Sequence, residues 1–222
     1  MHKKKLVLIG DSVFAQVAFE FFQFDSEYKV VAFAVERRYL QQTEMFGIPV
    51  VPFEDLERLY PPADHCAFVA IVFTQFNRLR TRLYRECKEK EYAMASYISS
   101  AAVIRPKSKI GEHCFICEQT VIQPFTEIGD NVVIWSGNQI CHRCQVGSNC
   151  FILPNCIVSD GVTIGRNSIV GANVTFASDR TIGRDCFIGT AAVIDQDAPD
   201  GSVVERIATN SAPQIPRVES TV

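Results

Sequence analysis

Apolar runs alternate with amphipathic segments along the first half of the chain. Continuous apolar runs predict strands that are buried on both faces of a sheet, and they lie at residues 6–10, 29–35, 47–51 and 66–73. Apolar residues at helical spacing predict helices, and they lie at residues 13–22, 53–59 and 77–90. Because this alternation is typical of βαβ units, residues 1–98 are predicted to form an α/β, Rossmann-like domain with a parallel sheet.

From Ile104 onward the apolar residues recur with a period of six. Every sixth residue is a β-branched anchor, with one phenylalanine among them: Ile104, Ile110, Ile116, Ile122, Ile128, Ile134, Ile140, Val146, Ile152, Val158, Ile164, Val170, Phe176, Ile182, Ile188 and Ile194. An uninterrupted six-residue period is the hexapeptide signature of a parallel β-helix. We therefore predict an all-β second domain over residues 99–204.

A second period, of eighteen residues, lies on top of the first. Glycine follows the anchor at Gly111, Gly129, Gly147, Gly165 and Gly183. Three hexads then make one triangular coil, and these glycines stack along one of its corners. At an inter-strand spacing of about 4.8 Å, about five coils give a prism roughly 25 Å long.

The stretch ICHRCQVGSNC, residues 140–150, has the residue types of a zinc knuckle. The repeat gives its cysteines another role, because the position four residues after each anchor also accepts Val, Ala, Ser and Thr. Cysteine fills this position at Cys114, Cys144, Cys150, Cys156 and Cys186. We predict that these are small buried apolar side chains and that the chain binds no metal. A three-histidine site between β-helix subunits is unsupported too, because the second domain holds only His113 and His142.

The composition argues against several classes of partner. The 222 residues are 47% hydrophobic and 21% charged, with a formal net charge of −3, as in an ordinary globular protein. This balance gives no reason to expect nucleic acid or a membrane as a partner. The basic start precedes an apolar run too short for a secretory signal or a membrane span. Nine cysteines without an export signal favour a cytoplasmic location.

His142 is the residue of the motif that remains once the cysteines are explained. It lies two positions after its anchor, where a side chain projects outward near a corner of the coil. For a histidine without further context, an exposed polar corner residue is the simplest interpretation. A catalytic interpretation rests on a wider resemblance.

Nearly the whole chain, up to about residue 204, resembles the nucleotide-sugar acetyltransferases. This family includes the sialic acid O-acetyltransferase group and the bacillosamine and perosamine N-acetyltransferases. The segments that carry the resemblance are LVLIGDS, VVAFAVERR, GIPVVPFEDL, FVAIVFTQFNRLR, YISSAAVI and NQICHRCQVGSNCFILPNCIVSDGVTIG. Parallel crossovers are normally right-handed, so the left-handed β-helix expected here is implied by the resemblance alone.

The resemblance implies a homotrimer that transfers an acetyl group from acetyl-CoA to the amino group of a nucleotide-linked amino sugar, in bacterial surface glycan biosynthesis. O-acetylation of a sugar hydroxyl is a close variant. It also implies contacts to acetyl-CoA, which would be made by Ser159, Gly161, Gly171, Ala172, Gly189 and Thr190.

In such enzymes a histidine at the position of His142 is the general base, and a neutral imidazole suits that role near pH 7. Relatives usually have an acidic residue directly after it, whereas this chain has Arg143. Asp160, one coil above His142, is a candidate to replace that carboxylate. Its alternative role, together with Gly161, is an ordinary corner turn.

The resemblance also implies that the first domain holds the nucleotide of the sugar. The candidate residues follow predicted strands, at Gly10, Asp11, Ser12, Glu36, Arg37 and Asn77. The first three lie where a strand turns into a helix, a natural place for backbone groups to approach a ligand. They do not form G-x-G-x-x-G, which disfavours a dinucleotide cofactor, and Arg37 replaces one of two acids that relatives carry. Ordinary turn residues are the competing interpretation for all six.

A second class of function also stays open, a non-catalytic β-helix trimer that acts as a binding or scaffold protein. Arg143 favours it, and so does the segment 203–214, which lacks the Gly-x-Pro-Ala that closes related chains. Three further expectations concern single segments. Trp135 is predicted to point outward at a subunit interface, residues 78–91 to be a solvated helix face, and residues 205–222 to be a polar tail.

Overall fold

A computed structural model describes residues 3–205 of the chain. The strands of the first domain are β1 (Lys4–Ile9), β2 (Tyr28–Val35), β3 (Glu44–Met45), β4 (Ile48–Pro52), β5 (His65–Val69) and β6 (Ala93–Met94). Its helices are α1 (Val13–Phe24), α2 (Leu56–Leu59) and α3 (Arg78–Glu89), with 3₁₀ turns at Arg37–Tyr39 and Phe53–Asp55. The strand order is β3-β4-β2-β1-β5-β6, and all neighbours are parallel except β3 and β4. The predicted α/β domain is confirmed.

The strand β5 is shorter than the apolar run that predicted it. The run continues to residue 73, but the strand ends at Val69. Beyond it, Phe73 is 40% exposed, and its ring centre lies 5.2 Å from that of Phe151 in the second domain. The single apolar run therefore contains two structures, a strand of the sheet and a following segment that packs against the second domain. Hydrophobic periodicity cannot distinguish the two.

The second domain is a parallel β-helix whose two-residue strands stack in three faces. Face 1 contains Tyr97–Ile98, Phe115–Ile116, Val133–Ile134, Phe151–Ile152, Ile169–Val170, Phe187–Ile188 and Val203–Val204. Face 2 contains Val103–Ile104, Val121–Ile122, Gln139–Ile140, Ile157–Val158, Thr175–Phe176 and Val193–Ile194. Face 3 contains Lys109–Ile110, Glu127–Ile128, Gln145–Val146, Thr163–Ile164 and Thr181–Ile182. The anchors point inward into one core, as the six-residue period predicted.

The glycine repeat lies at the corner between faces 3 and 1. A Cβ atom on Gly165 would lie 2.5 Å from the carbonyl carbon of Gly183, and one on Gly147 would lie 2.6 Å from the backbone nitrogen of Arg166. Successive coils therefore approach each other too closely at this corner for any side chain. This close approach explains the eighteen-residue glycine period.

The chain passes from one domain to the other between Met94 and Tyr97. β6 pairs with β5 of the α/β sheet, whereas Tyr97–Ile98 pairs with Phe115–Ile116 of the β-helix. Of the predicted tail, residues 206–222 lie outside the described residues. None of the helices within residues 3–205 combines the length and the apolar character needed to cross a membrane.

Face 1 packs against the α/β domain through aromatic side chains. The ring centre of Phe14 in α1 lies 5.2 Å from that of Phe115 and 5.6 Å from that of Trp135. Trp135 points out of its coil, as predicted, and its ring lies against α1 of its own chain. The first domain therefore covers part of the outer surface of face 1.

A buried guanidinium joins α3 to the corner between faces 3 and 1. Arg80 is fully buried and donates from Nε to Asn131 Oδ1 at 3.0 Å. Its Nη2 donates to the carbonyl oxygens of Asn131, Asn149 and Cys150, at 3.3, 3.0 and 3.1 Å. Burial lowers the pKa of Arg80 to about 10, so the group stays charged at neutral pH. The predicted solvated face of residues 78–91 is therefore wrong at Arg80.

His113 completes this contact between the domains. Its Nε2 accepts a hydrogen bond from the backbone nitrogen of Val69 at 2.7 Å, so Nδ1 carries the proton and donates to Asn131 Oδ1 at 2.9 Å. Burial, and then the charge of Arg80, lowers the pKa of His113 to about 3. The imidazole is therefore neutral and structural.

Candidate active site

His142 lies at the corner between faces 2 and 3, where the chain leaves the strand Gln139–Ile140. Its side chain is 56% exposed, as predicted for an outward corner residue. The parallel register of Ile140 with Val158 places Asp160 directly above it in the next coil. The repeat thus brings together two polar side chains that are eighteen residues apart in sequence.

Asp160 holds the imidazole of His142 in one orientation. Its Oδ1 lies 3.0 Å from Nδ1 of His142 and accepts a second hydrogen bond, at 3.0 Å, from the backbone nitrogen of the same residue. These bonds lower the pKa of Asp160, which is ionised at neutral pH. Because a carboxylate only accepts, Nδ1 carries a proton, and in the neutral form of the imidazole the lone pair is therefore on Nε2. The exposed imidazole has the tautomer that a general base needs.

The cysteines beside His142 do not form a metal site with it. The Sγ of Cys144 points into the core and donates to the carbonyl oxygen of Ser159 at 3.1 Å, while His142 projects outward. Burial raises the pKa of the Cys144 thiol to about 11, whereas a zinc ligand must be a thiolate. Among residues 3–205 no three His, Cys, Asp or Glu side chains converge on a common point.

A separate cavity of about 170 Å³ opens at the carboxyl ends of β1 and β2. It is lined by Ile9, Gly10, Asp11, Ala34, Val35, Glu36, Tyr39, Ile71, Leu79 and Leu83. Ligands of open α/β sheets bind at this end of the strands. Gly10 has a φ of +120°, and a Cβ there would lie 3.0 Å from the carbonyl oxygen of Ala70, so only glycine fits this turn. Three of the six candidates for nucleotide binding meet here.

Glu36 is held at this cavity by two arginines. Arg82 of α3 donates to its Oε2 at 3.0 Å, and Arg38 donates to its Oε1 at 3.2 Å. The Arg38 guanidinium also lies 4.7 Å from the ring centre of Tyr39, which is 56% exposed. Sequence reasoning missed Arg82 and Tyr39. Tyr39 lies within three residues of the candidates Glu36 and Arg37 and could have been included with them. Nothing in the sequence around Arg82 indicated that it would contact Glu36.

The other three nucleotide candidates lie apart from the cavity lining. Ser12 is the N-cap residue of α1, but its side chain makes no capping hydrogen bond. Arg37 turns toward α2 and donates to Asp55 at 2.9 Å. Asn77 is fully buried and donates to the carbonyl oxygen of Asn167 in the β-helix at 3.1 Å. The expectation for Asn77 is corrected, because its side chain faces the second domain and not a ligand.

The six residues expected to contact acetyl-CoA border face 2 on both sides. Ser159 and Gly161 lie beside Asp160, at the corner between faces 2 and 3. The other four lie at the corner between faces 1 and 2, at Gly171, Ala172, Gly189 and Thr190. A Cβ on Gly171 would lie 2.5 Å from the backbone nitrogen of Thr190, so packing between coils is sufficient to explain this glycine.

The cavity and His142 lie on different sides of one chain. The α/β domain contacts face 1 through Phe115 and the bordering corners through Ser99 and Asn131. His142 lies at the third corner of the triangle, opposite face 1. One chain therefore does not bring the cavity and the imidazole to the same place.

Comparison with known proteins agrees with this architecture. The family described as "Bacterial transferase hexapeptide (six repeats)" matches residues 107–142, 125–160 and 143–178. No curated protein is significantly similar in sequence.

Two solved structures resemble the chain over most of its length. The acetyltransferase domain of PglB from Neisseria gonorrhoeae superposes with a TM-score of 0.82 at 25% identity, over 91% of this chain and 97% of that one. PerB from Caulobacter crescentus, in complex with CoA and GDP-perosamine, superposes with a TM-score of 0.81 at 26% identity, over 90% of this chain and 93% of that one. The chain therefore carries the repeat of the bacterial hexapeptide transferases over residues 107–178, and over about nine-tenths of its length it resembles solved acetyltransferases with a left-handed β-helix.

Proposed function

We propose that this acyltransferase moves the acetyl group of acetyl-CoA to the amino group of a nucleotide-linked amino sugar, in the synthesis of lipopolysaccharide or another bacterial surface glycan. The observation that carries the proposal is the His142–Asp160 pair, a fixed and exposed imidazole whose Nε2 is free to accept a proton. The likeness to PglB, solved in complex with acetyl coenzyme A, supports the choice of donor, and the likeness to PerB, solved with CoA and GDP-perosamine, supports the choice of acceptor.

The chemistry requires a base beside the attacking amine. The neutral amine adds to the thioester carbonyl, and the new N–C bond makes the nitrogen acidic. His142 Nε2 takes that proton, and the carboxylate of Asp160 stabilises the imidazolium that forms. Collapse of the tetrahedral intermediate breaks the C–S bond, and the CoA thiolate leaves with the electron pair. The rest of the rate enhancement would come from orienting two bound substrates.

The nucleotide is proposed to bind in the cavity at Gly10, Asp11 and Glu36. The separation of this cavity from His142 supports a homotrimer, in which the cavity of one copy faces the His142 corner of another. Acetyl-CoA would then lie between two copies along face 2, where the six expected contact residues border it. We place the enzyme in the cytoplasm, where thiols stay reduced, since the described residues contain nine free cysteines and no disulfide.

A thiol-release assay with acetyl-CoA tests the proposal against a panel of nucleotide-linked 3-amino and 4-amino sugars, with the corresponding 4-hydroxy sugars as controls for O-acetylation. We expect turnover with an amino sugar and a loss of kcat of about 10²-fold or more in His142→Ala. His65→Ala, a partly exposed histidine remote from the β-helix, is the matched control and should keep full activity. Turnover that survives His142→Ala removes this residue from the mechanism. A wild type that neither turns over nor binds CoA refutes the proposal that the protein is an acetyltransferase.

A further inference from the structure

A column of corner residues beside His142 has an unusual composition. The β-helix corners hold residues in the left-handed backbone region, which Gly, Asn and Asp adopt most readily. In the column next to His142 these positions are Lys107, Phe125 and Arg143, with φ of 70°, 66° and 58°. Phe125 is 54% exposed as well. Backbone preference does not account for a phenylalanine there, and such outliers concentrate at functional sites.

The register of the coils fixes the order of this column. Val121 pairs with Gln139, which puts Phe125 directly below Arg143 and one coil below His142. The backbone nitrogen of Arg143 donates to the carbonyl oxygen of Pro124 at 3.4 Å. Below Phe125, the Nζ of Lys107 lies 5.3 Å from the ring centre. An exposed aromatic ring therefore stands between two cations at the edge of the proposed active site.

The two cations are free of ion pairs within the described part of the chain. Lys107 and Arg143 make no salt bridge with a carboxylate of residues 3–205, whereas Lys109, on the neighbouring strand, is paired with Glu127 at 2.6 Å. The carboxylate of Asp160, one coil above, is already bonded to His142. Above Arg143 the column continues with Gly161, which has no side chain. The column thus offers positive charge and an apolar surface together.

We propose that Lys107, Phe125 and Arg143 bind the glycosyl diphosphate of the acceptor. The apolar face of the sugar ring packs on Phe125, and the guanidinium of Arg143 and the ammonium of Lys107 bind the two phosphates. This places the sugar amine beside His142, the residue directly before Arg143, where Nε2 can accept the proton of the amine. The expected acetyl-CoA residues all lie at or above the coil of Asp160, so the coils below it are left for the acceptor. The inference rests on the proposed function and adds the residues that select a sugar diphosphate.

Two substitutions test the site, Phe125→Asn and Arg143→Gln, with KM measured for the nucleotide sugar and for acetyl-CoA. We expect the KM for the nucleotide sugar to rise about tenfold in each variant, with the KM for acetyl-CoA unchanged. Phe125→Asn should also keep or raise the melting temperature, because asparagine suits the left-handed backbone better than phenylalanine.

Matched controls exist for both changes. Phe46→Asn replaces another exposed phenylalanine, with a φ of 54°, in the first domain, and Lys109→Gln removes a cation that is already paired. Both should leave the two KM values unchanged.

The outcomes separate this inference from the proposed function. Wild-type turnover with an unchanged acceptor KM in both variants overturns the inference and leaves the function intact. A parallel rise of both KM values, with loss of the trimer in size-exclusion chromatography, makes Phe125 a subunit contact and overturns it as well. Absence of wild-type turnover with every nucleotide sugar refutes the function and, with it, the inference.

Discussion

Replacing Arg80 tests how the two domains are held together. Arg80→Met keeps most of the apolar stem and removes the guanidinium, whereas Arg80→Lys keeps a charge but loses the fork that reaches several oxygens. We expect the conservative change to lysine to be the more damaging of the two. The reason is that methionine removes the cost of burying a charge, whereas lysine keeps that cost and loses hydrogen bonds.

The structure separates those costs. In Arg80→Met the carbonyl oxygens of Asn131 and Asn149 lose their hydrogen bond, and no other donor within residues 3–205 bonds them. At about 1–3 kcal/mol for each buried group, this loss is about 2–6 kcal/mol. Against this loss, the methionine variant no longer has to bury a positive charge. Burial lowers the pKa of Arg80 from 12.5 to about 10, which corresponds to a cost of about 3 kcal/mol that the variant avoids. The difference is a net change between about −1 and +3 kcal/mol, centred on a destabilisation of about 1 kcal/mol.

In Arg80→Lys the desolvation cost remains, because the ammonium is still buried among carbonyl groups and has fewer donors for them. We expect a destabilisation of about 3–5 kcal/mol, the range seen when a buried charge loses its partners. Thermal unfolding followed by circular dichroism measures both variants, and each kcal/mol should lower the melting temperature by about 2–4 °C for a chain of this size. A lysine variant as stable as the methionine variant, or more stable, would refute this reasoning.

Three further predictions concern single residues. Asp160→Asn keeps an oxygen that accepts both bonds from His142, so kcat should fall about tenfold through the lost charge, whereas Asp160→Ala also frees the ring and should lose about 10²-fold in the thiol-release assay. Gly165→Ala forces a Cβ to 2.5 Å from Gly183 and should cost about 1–3 kcal/mol in thermal unfolding, and an unchanged melting temperature would show that the coils can separate at that corner. His113 has a folded pKa of about 3, far below its unfolded value near 6.5, so the unfolded state binds the extra proton and stability falls as the pH drops from about 6.5 toward 3. His113→Gln should be less stable at pH 7 and lose less on acidification, and parallel pH profiles for the two proteins would contradict the assignment.

The β-helix could be predicted in detail because its sequence is periodic. Each anchor occupies an equivalent place, so one assignment determines the whole column, including the buried Cys144 and the position of Asp160 above His142. The cavity at Gly10 and Glu36 could be predicted from the strand ends for a similar reason. In both cases the contact follows from the equivalent positions that the residues hold in successive repeating units.

The contacts between the domains could not be predicted in this way. Arg80 lies in a charge-rich helix, and charge there is usually solvated, so only the position of Asn131 and Asn149 at a neighbouring corner shows why it is buried. Trp135 was placed correctly with respect to its coil, but its neighbour Phe14 is more than a hundred residues away in sequence. Such contacts depend on how two complete domains meet, which no local spacing encodes.

Helix α3 connects these contacts to the proposed chemistry. One side of it lines the cavity with Leu79 and Leu83 and holds Glu36 through Arg82, while Arg80 on the other side is fixed to the β-helix. The cavity is thereby held rigidly against face 1. If the imidazole that completes the site comes from another copy, the distance between the two substrates depends on this rigid attachment. Arg80→Met should therefore raise the KM for the nucleotide sugar as well as lower stability, although the residue touches no substrate.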